Sequence, residues 1–175
     1  MALEIDENNE DLWFEKGELH RKLKQWEEAE ACYLNATEIR YTYGEAWLKL
    51  AQMKERRDKL REAEDAYVIA LELESNHGFA YLGLGRVQSK LERVKEALKS
   101  IEKSISLLSD DYRPYMVRGD IYFGIGDYER ADAKGYSKAV NIRPDLKNGW
   151  RKLAKVYRSQ DLSLIHISEP TRHHV

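Results

Sequence analysis

The residues of this 175-residue chain best equipped for nucleophilic or metal chemistry are five histidines and a single cysteine. Their placement supports neither chemistry. His77 falls in a turn, His20 takes a packing position of a helical pattern, and Cys32 directly precedes a packing tyrosine with no histidine at a useful spacing, which reads as a structural thiol. His166, His173 and His174 mimic a metal cluster in the final stretch. The two glycines of YLGLGR at 81–86 lie inside a helical pattern as small contact positions, and no phosphate loop is formed. No enzyme, cofactor or metal site is expected. Anion recognition is the chemistry that remains: Lys147, Arg151, Lys155 and Arg158 recur at i, i+4, i+8 and i+11, one helical face, and fit an acidic or phosphorylated segment, or further packed helices.

The elements that position these residues are set by a period. Units begin at Glu10, Gly44, Gly78, Tyr112 and Lys147, at intervals of 34, 34, 34 and 35. Their fourth position reads Trp13, Trp47, Tyr81, Tyr115, Trp150; the eighth Gly17, Ala51, Gly85, Gly119, Ala154; the twentieth Ala29, Ala63, Ala97, Ala131. Within Gly44–His77, Trp47, Leu50, Ala51 and Lys54 share one helical face, and Ala63, Tyr67 and Ala70 share the face of a second helix. Small residues at the eighth and twentieth positions let the two helices approach closely, while large residues at the fourth and twenty-fourth fill the space beside them.

This order of aromatic, small and aromatic positions resembles the tetratricopeptide repeat, a 34-residue helix-turn-helix unit, over residues 2 to about 160. The resemblance implies an all-α, right-handed superhelical solenoid of antiparallel helix pairs. The units are then 10–43, 44–77, 78–111 and 112–146, with the first helix of a fifth at 147–161. Residues 1–9 fit the end of a preceding repeat, so the natural protein is expected to extend further toward its N-terminus. Lys16 and Arg118 stand where the family usually has leucine, and His20, Lys54 and Gln88 stand where it has tyrosine.

Two places break the period. Ala131 to Tyr136 takes five steps instead of four, and one extra residue turns every later position of the helix by about 100°. A π-bulge, a break at Gly135 and a sequencing error are the alternatives. After Asp161 the pattern stops. The string LSLIHISEPTR resembles the conceptual translation of a transposase-based sequencing-library adaptor, so 162–175 is expected to be a non-native, loose or weakly strand-like tail.

The totals exclude more than they specify. A net charge of −2 hides a gradient, with 11 acidic and 5 basic residues over 1–43 against 5 and 11 over 112–160. No nucleic acid is expected as partner, because net attraction to phosphate is weak and the basic face lacks interleaved aromatics. The gradient does allow head-to-tail self-association that salt would weaken. No apolar run is long enough to span a bilayer, and a lone cysteine suits a reducing, cytoplasmic setting.

In the family the second, fifth, ninth, twelfth and thirteenth positions of the first helix line a concave surface. The resemblance thus nominates Phe14, Leu48, Leu82, Met116 and Arg151 at the fifth and Glu18, Gln52, Arg86, Asp120 and Lys155 at the ninth position, with Phe79 and Phe123 beside them. Read as a site, these form an apolar floor edged by polar groups for a peptide or helix; read as packing, the apolar members are buried against the neighbouring unit. The lysine–asparagine clamp by which chaperone-binding relatives hold a terminal carboxylate is absent, since Phe14, Glu18, Lys49, Phe79 and Gly83 occupy its positions. The function implied is a non-catalytic protein–protein interaction scaffold; the alternative is the repeat region of a larger enzyme or regulator.

Overall fold

The computed structural model describes residues 8–168. Asn9 opens the first helix: its side-chain oxygen accepts from the Asp11 and Leu12 amides, both at 3.1 Å, satisfying donors that a helix start leaves unpaired. The elements are α1 (Glu10–Lys22), α2 (Trp26–Ile39), α3 (Gly44–Arg56), α4 (Leu60–Leu73), α5 (Gly78–Lys90), α6 (Val94–Leu107), α7 (Tyr112–Gly124), α8 (Tyr128–Arg130), a π-helical segment (Ala131–Tyr136), α9 (Ser137–Ile142) and α10 (Lys147–Ser168). The described residues form helices and turns alone, an all-α repeat solenoid. The odd-numbered helices through α7, together with α10, begin at the five unit starts set by the period.

The turn inside each pair has one device. Its fifteenth-position residue adopts a positive φ, 61° at Lys24, 59° at Asp58, 61° at Glu92 and 77° at Gly126. A left-handed residue there reverses the chain within a few positions, and three of the four bear the side-chain strain that glycine avoids.

The chain divides into two compact units, one ending at Leu107 and the other starting at Leu108. In the first, α1, α3 and α5 pair with α2, α4 and α6, and α2 and α4 also pack against the next pair. Two buried clusters result. Phe14, Ala29, Tyr33, Ala36, Leu50 and Met53 form one, and Leu48, Ala63, Tyr67, Ala70, Leu84 and Val87 form the other; Trp47 packs against both. Its indole Nε1 also donates to the Tyr41 carbonyl at 2.7 Å, tying the loop between repeats to the next helix.

The second unit repeats that loop tie. Tyr115 donates to the Ser109 carbonyl and Trp150 to the Pro144 carbonyl, each across six residues. The extra residue of 131–136 is absorbed in the π-helical segment, where one turn holds one residue more. Both Ala131 and Tyr136 therefore stay buried, and the packing face continues into α9. Arg118 explains why leucine is missing from its position: it is buried, and its Nε donates at 2.8 Å to the carbonyl of Lys134 within the widened turn.

Beyond Asp161, α10 continues to Ser168, whereas the period predicts a helix ending at 161. The adaptor-like stretch extends past the described residues, and the expected remnant of a preceding repeat at 1–9 lies almost wholly outside them.

Candidate peptide-binding face

The tyrosine at the twenty-fourth position determines what its inner neighbours do. Tyr33 fills the core of the first pair with its ring and donates its hydroxyl to Glu18 Oε1 at 2.6 Å. Glu18 also accepts from Arg21 at 2.6 Å and lies 3.2 Å from Lys49 of the next repeat. Burial alone would raise the Glu18 carboxyl, but the hydrogen bonds from Arg21, Tyr33 and Lys49 outweigh it and hold the group at about 2. Burial and the adjacent carboxylate push the Tyr33 phenol well above its usual value.

The same motif recurs twice with altered positions. Tyr67 donates to Glu55 at 3.0 Å, and Glu55 accepts from Arg86 of the next repeat at 2.7 and 2.6 Å. Here the acid stands at the twelfth position instead of the ninth. The ninth position of this repeat is Gln52, and the Tyr67 ring packs so closely on Gly83 that a Cβ there would lie 2.2 Å from it. In the second unit Tyr136 donates to Asp120 at 2.6 Å, and Lys152 of α10 pairs with the same carboxylate. Each motif links the second helix of a repeat, its first helix and the first helix of the next through one acid.

A second set of acids joins repeats at the turn side. Glu30 accepts from Arg57 and Lys59 at 2.7 and 2.8 Å, with Lys54 at 3.7 Å. Glu64 accepts from Arg93 at 2.6 Å and from Gln88. Lys54 and Gln88, which replace the family's usual tyrosine, thus exchange apolar packing for polar links to the preceding repeat. His20 bonds Gln25, and His77 accepts from the Ala80 amide as a helix cap, which gives both histidines structural partners. Burial pushes the Cys32 thiol up, away from its reactive form.

The nominated residues separate by chemistry. Phe14, Leu48, Leu82 and Met116 are 7%, 5%, 5% and 8% exposed, so they are packing residues and offer no apolar floor. Phe14 lies against Tyr33 and Tyr43, and Leu48 lies within the second cluster. Gln52, Phe79 and Phe123 are half-buried; Arg86, Asp120, Arg151 and Lys155 are exposed. Glu18 and Asp120 are engaged by tyrosine and lysine, and Arg86 by Glu55. Lys49, Glu55 and Lys152 lie outside the nominated set, although they complete the motifs. A tyrosine aligned with an acid one helix back and a cation one repeat on was the signal available in the sequence.

The family model of the tetratricopeptide repeat matches residues 10–43 and 80–110. Those two stretches are tetratricopeptide repeats. Among solved structures, MamA is similar over 90% of this chain and 85% of its own, with 18% identity and a TM-score of 0.77. A chain of the APC/C hetero-tetramer Cut9–Hcn1 is similar over 89% of this chain and 31% of its own, with 19% identity and a TM-score of 0.79. YrrB, a repeat protein with an unusual peptide-binding site, is similar over 91% of this chain and 82% of its own, with 20% identity and a TM-score of 0.72. At these identities the likeness is one of fold. No curated protein matches the chain significantly. The helix pairs of this chain hold inner polar positions largely committed to one another. Among the described residues no helix is long and apolar enough to cross a membrane.

Proposed function

We propose that this protein is a non-catalytic interaction scaffold that holds a peptide or helix of a partner protein along the first helices of its repeats. The observation that carries the reading is the division of the inner positions: Phe14, Leu48, Leu82 and Met116 are consumed by packing, while half-buried Gln52 on α3 and half-buried Phe79 and exposed Arg86 on α5 keep surface in the first unit. Gln52 and Arg86 stand one repeat apart at the same position, with Phe79 beside Arg86 on α5, and side chains repeated in this way present successive contacts to an extended ligand. YrrB supports the reading as a similar fold with a peptide site.

The test is selection of displayed peptides on the immobilised chain, followed by binding to Gln52→Lys and Phe79→Lys variants. Selected peptides are expected to lose binding to both variants and to keep it for Glu72→Lys, an exposed change on α4. Failure to enrich any peptide, or binding indifferent to Gln52 and Phe79, overturns the proposal.

A further inference from the structure

Along the first helices the inner cations are spent inside the molecule. Lys49 pairs with Glu18, Arg86 and Lys90 with Glu55, and Lys152 with Asp120. Apart from Lys152, the cations of α10 depart from this arrangement. Lys147, Arg151, Lys155 and Arg158 recur along it, all exposed, and none has an ion-pair partner among the described residues. Four acids of the same unit are engaged elsewhere, Asp111 by Arg113, Asp127 by Arg130, Asp145 by Arg143, and Asp132 by Ser137 and Tyr157, while exposed Glu129 and Asp161 are not among them.

Two further features add to the positive face. The first turn of α10 holds no acidic residue, so the positive end of the helix dipole reinforces Lys147 and Arg151. Lys155 Nζ lies 4.6 Å over the ring of Phe123, which itself tilts against Tyr128 with centroids 5.3 Å apart. Aromatic surface therefore borders the cations.

We infer that this face of α10 docks an acidic, extended segment of a partner protein, with carboxylates on alternate residues. The spacing favours that ligand. Cations four residues apart on a helix are separated by about 6 Å along its axis. Alternate side chains of an extended strand repeat at about 6.6 Å. Lys147, Arg151 and Lys155 can thus meet successive alternate carboxylates, the guanidinium of Arg151 in a two-pronged contact, while a residue between them reaches Phe123. The inference rests on the peptide-binding reading above and adds the chemistry of the ligand.

Fluorescence anisotropy of a labelled peptide of alternating glutamate and alanine, titrated with the full chain, tests it. The peptide is expected to bind, its glutamine counterpart to fail, and affinity to fall steeply as salt rises. Combined Arg151→Glu, Lys155→Glu and Arg158→Glu reversal should weaken binding at least about tenfold, and Phe123→Ala about threefold, while Lys99→Glu with Lys103→Glu on α6 leaves it unchanged. Circular dichroism of each variant reports whether helix content is kept. Equal loss in the α6 variant, no loss in the α10 variant, or tighter binding of single-stranded oligothymidylate of the same charge overturns the proposal. So does failure of the glutamate peptide while displayed peptides still depend on Gln52 and Phe79, a result that leaves the scaffold reading intact.

Discussion

The Arg118 guanidinium donates to the Lys134 carbonyl across sixteen residues of sequence, joining α7 to the π-helical segment. Two departures from the repeat pattern, an arginine in place of leucine and one residue too many, are therefore a single feature. Arg118→Leu should destabilise the second unit by about 2 kcal/mol, because the Lys134 carbonyl in the widened turn loses its charged donor. Deleting exposed Ala133 restores the four-step spacing from Ala131 to Tyr136. A double-mutant cycle on the thermal midpoint should show Arg118→Leu costing much less in the deletion background; equal costs in both backgrounds would separate the two features.

Two glycines of this unit distinguish packing from conformation. A Cβ on Gly135 would lie 2.4 Å from the Cα of Gly119, backbone that cannot yield, whereas a Cβ on Gly126 would meet nothing within 4 Å but sits at φ 77°. Gly135→Ala should cost about 3 kcal/mol or more by overpacking and Gly126→Ala about 1 kcal/mol by strain, read from urea unfolding.

Glu18 provides a pH handle on the first unit. Its folded value of about 2 lies below the ordinary 4.5, so its stabilisation is complete above 4.5 and disappears as pH falls through 2. Glu18→Gln should be less stable than the parent at pH 7 by about 2 kcal/mol, with the difference closing between those pH values. A gap that stays constant down to pH 2 would contradict the hydrogen-bonded arrangement.

Leu48 tests the burial of the fifth position. Leu48→Asp places a carboxylate where the side chain is 5% exposed, and should unfold the first unit or cost about 4 kcal/mol. Gln52→Lys, one turn along the same helix, should leave the thermal midpoint within about 1 °C. Equal tolerance of both changes would mean that Leu48 is accessible.

The helix pairs were legible because Trp47, Ala51, Ala63 and Tyr67 recur at one spacing, and local periodicity reports which face of a helix is apolar. The candidate site was legible in part. Glu18, Arg86 and Asp120 stand out by position, yet the partners that tie them to other helices lie 15 to 32 residues away, as Tyr33 does from Glu18, Glu55 from Arg86 and Lys152 from Asp120. Apolar character at the fifth position did not tell a ligand floor from packing, since either requires the same side chains.

The sequence by itself determined the repeat, its register and the positions of the helix pairs, because these depend on the types and spacing of near neighbours. The tertiary structure decided that Phe14, Leu48, Leu82 and Met116 are buried, that Tyr67 finds its acid partner in Glu55 at the twelfth position, and that a π-turn with Arg118 absorbs the extra residue. Each of those outcomes depends on distances between groups far apart in the chain, which exist only once the helices have packed.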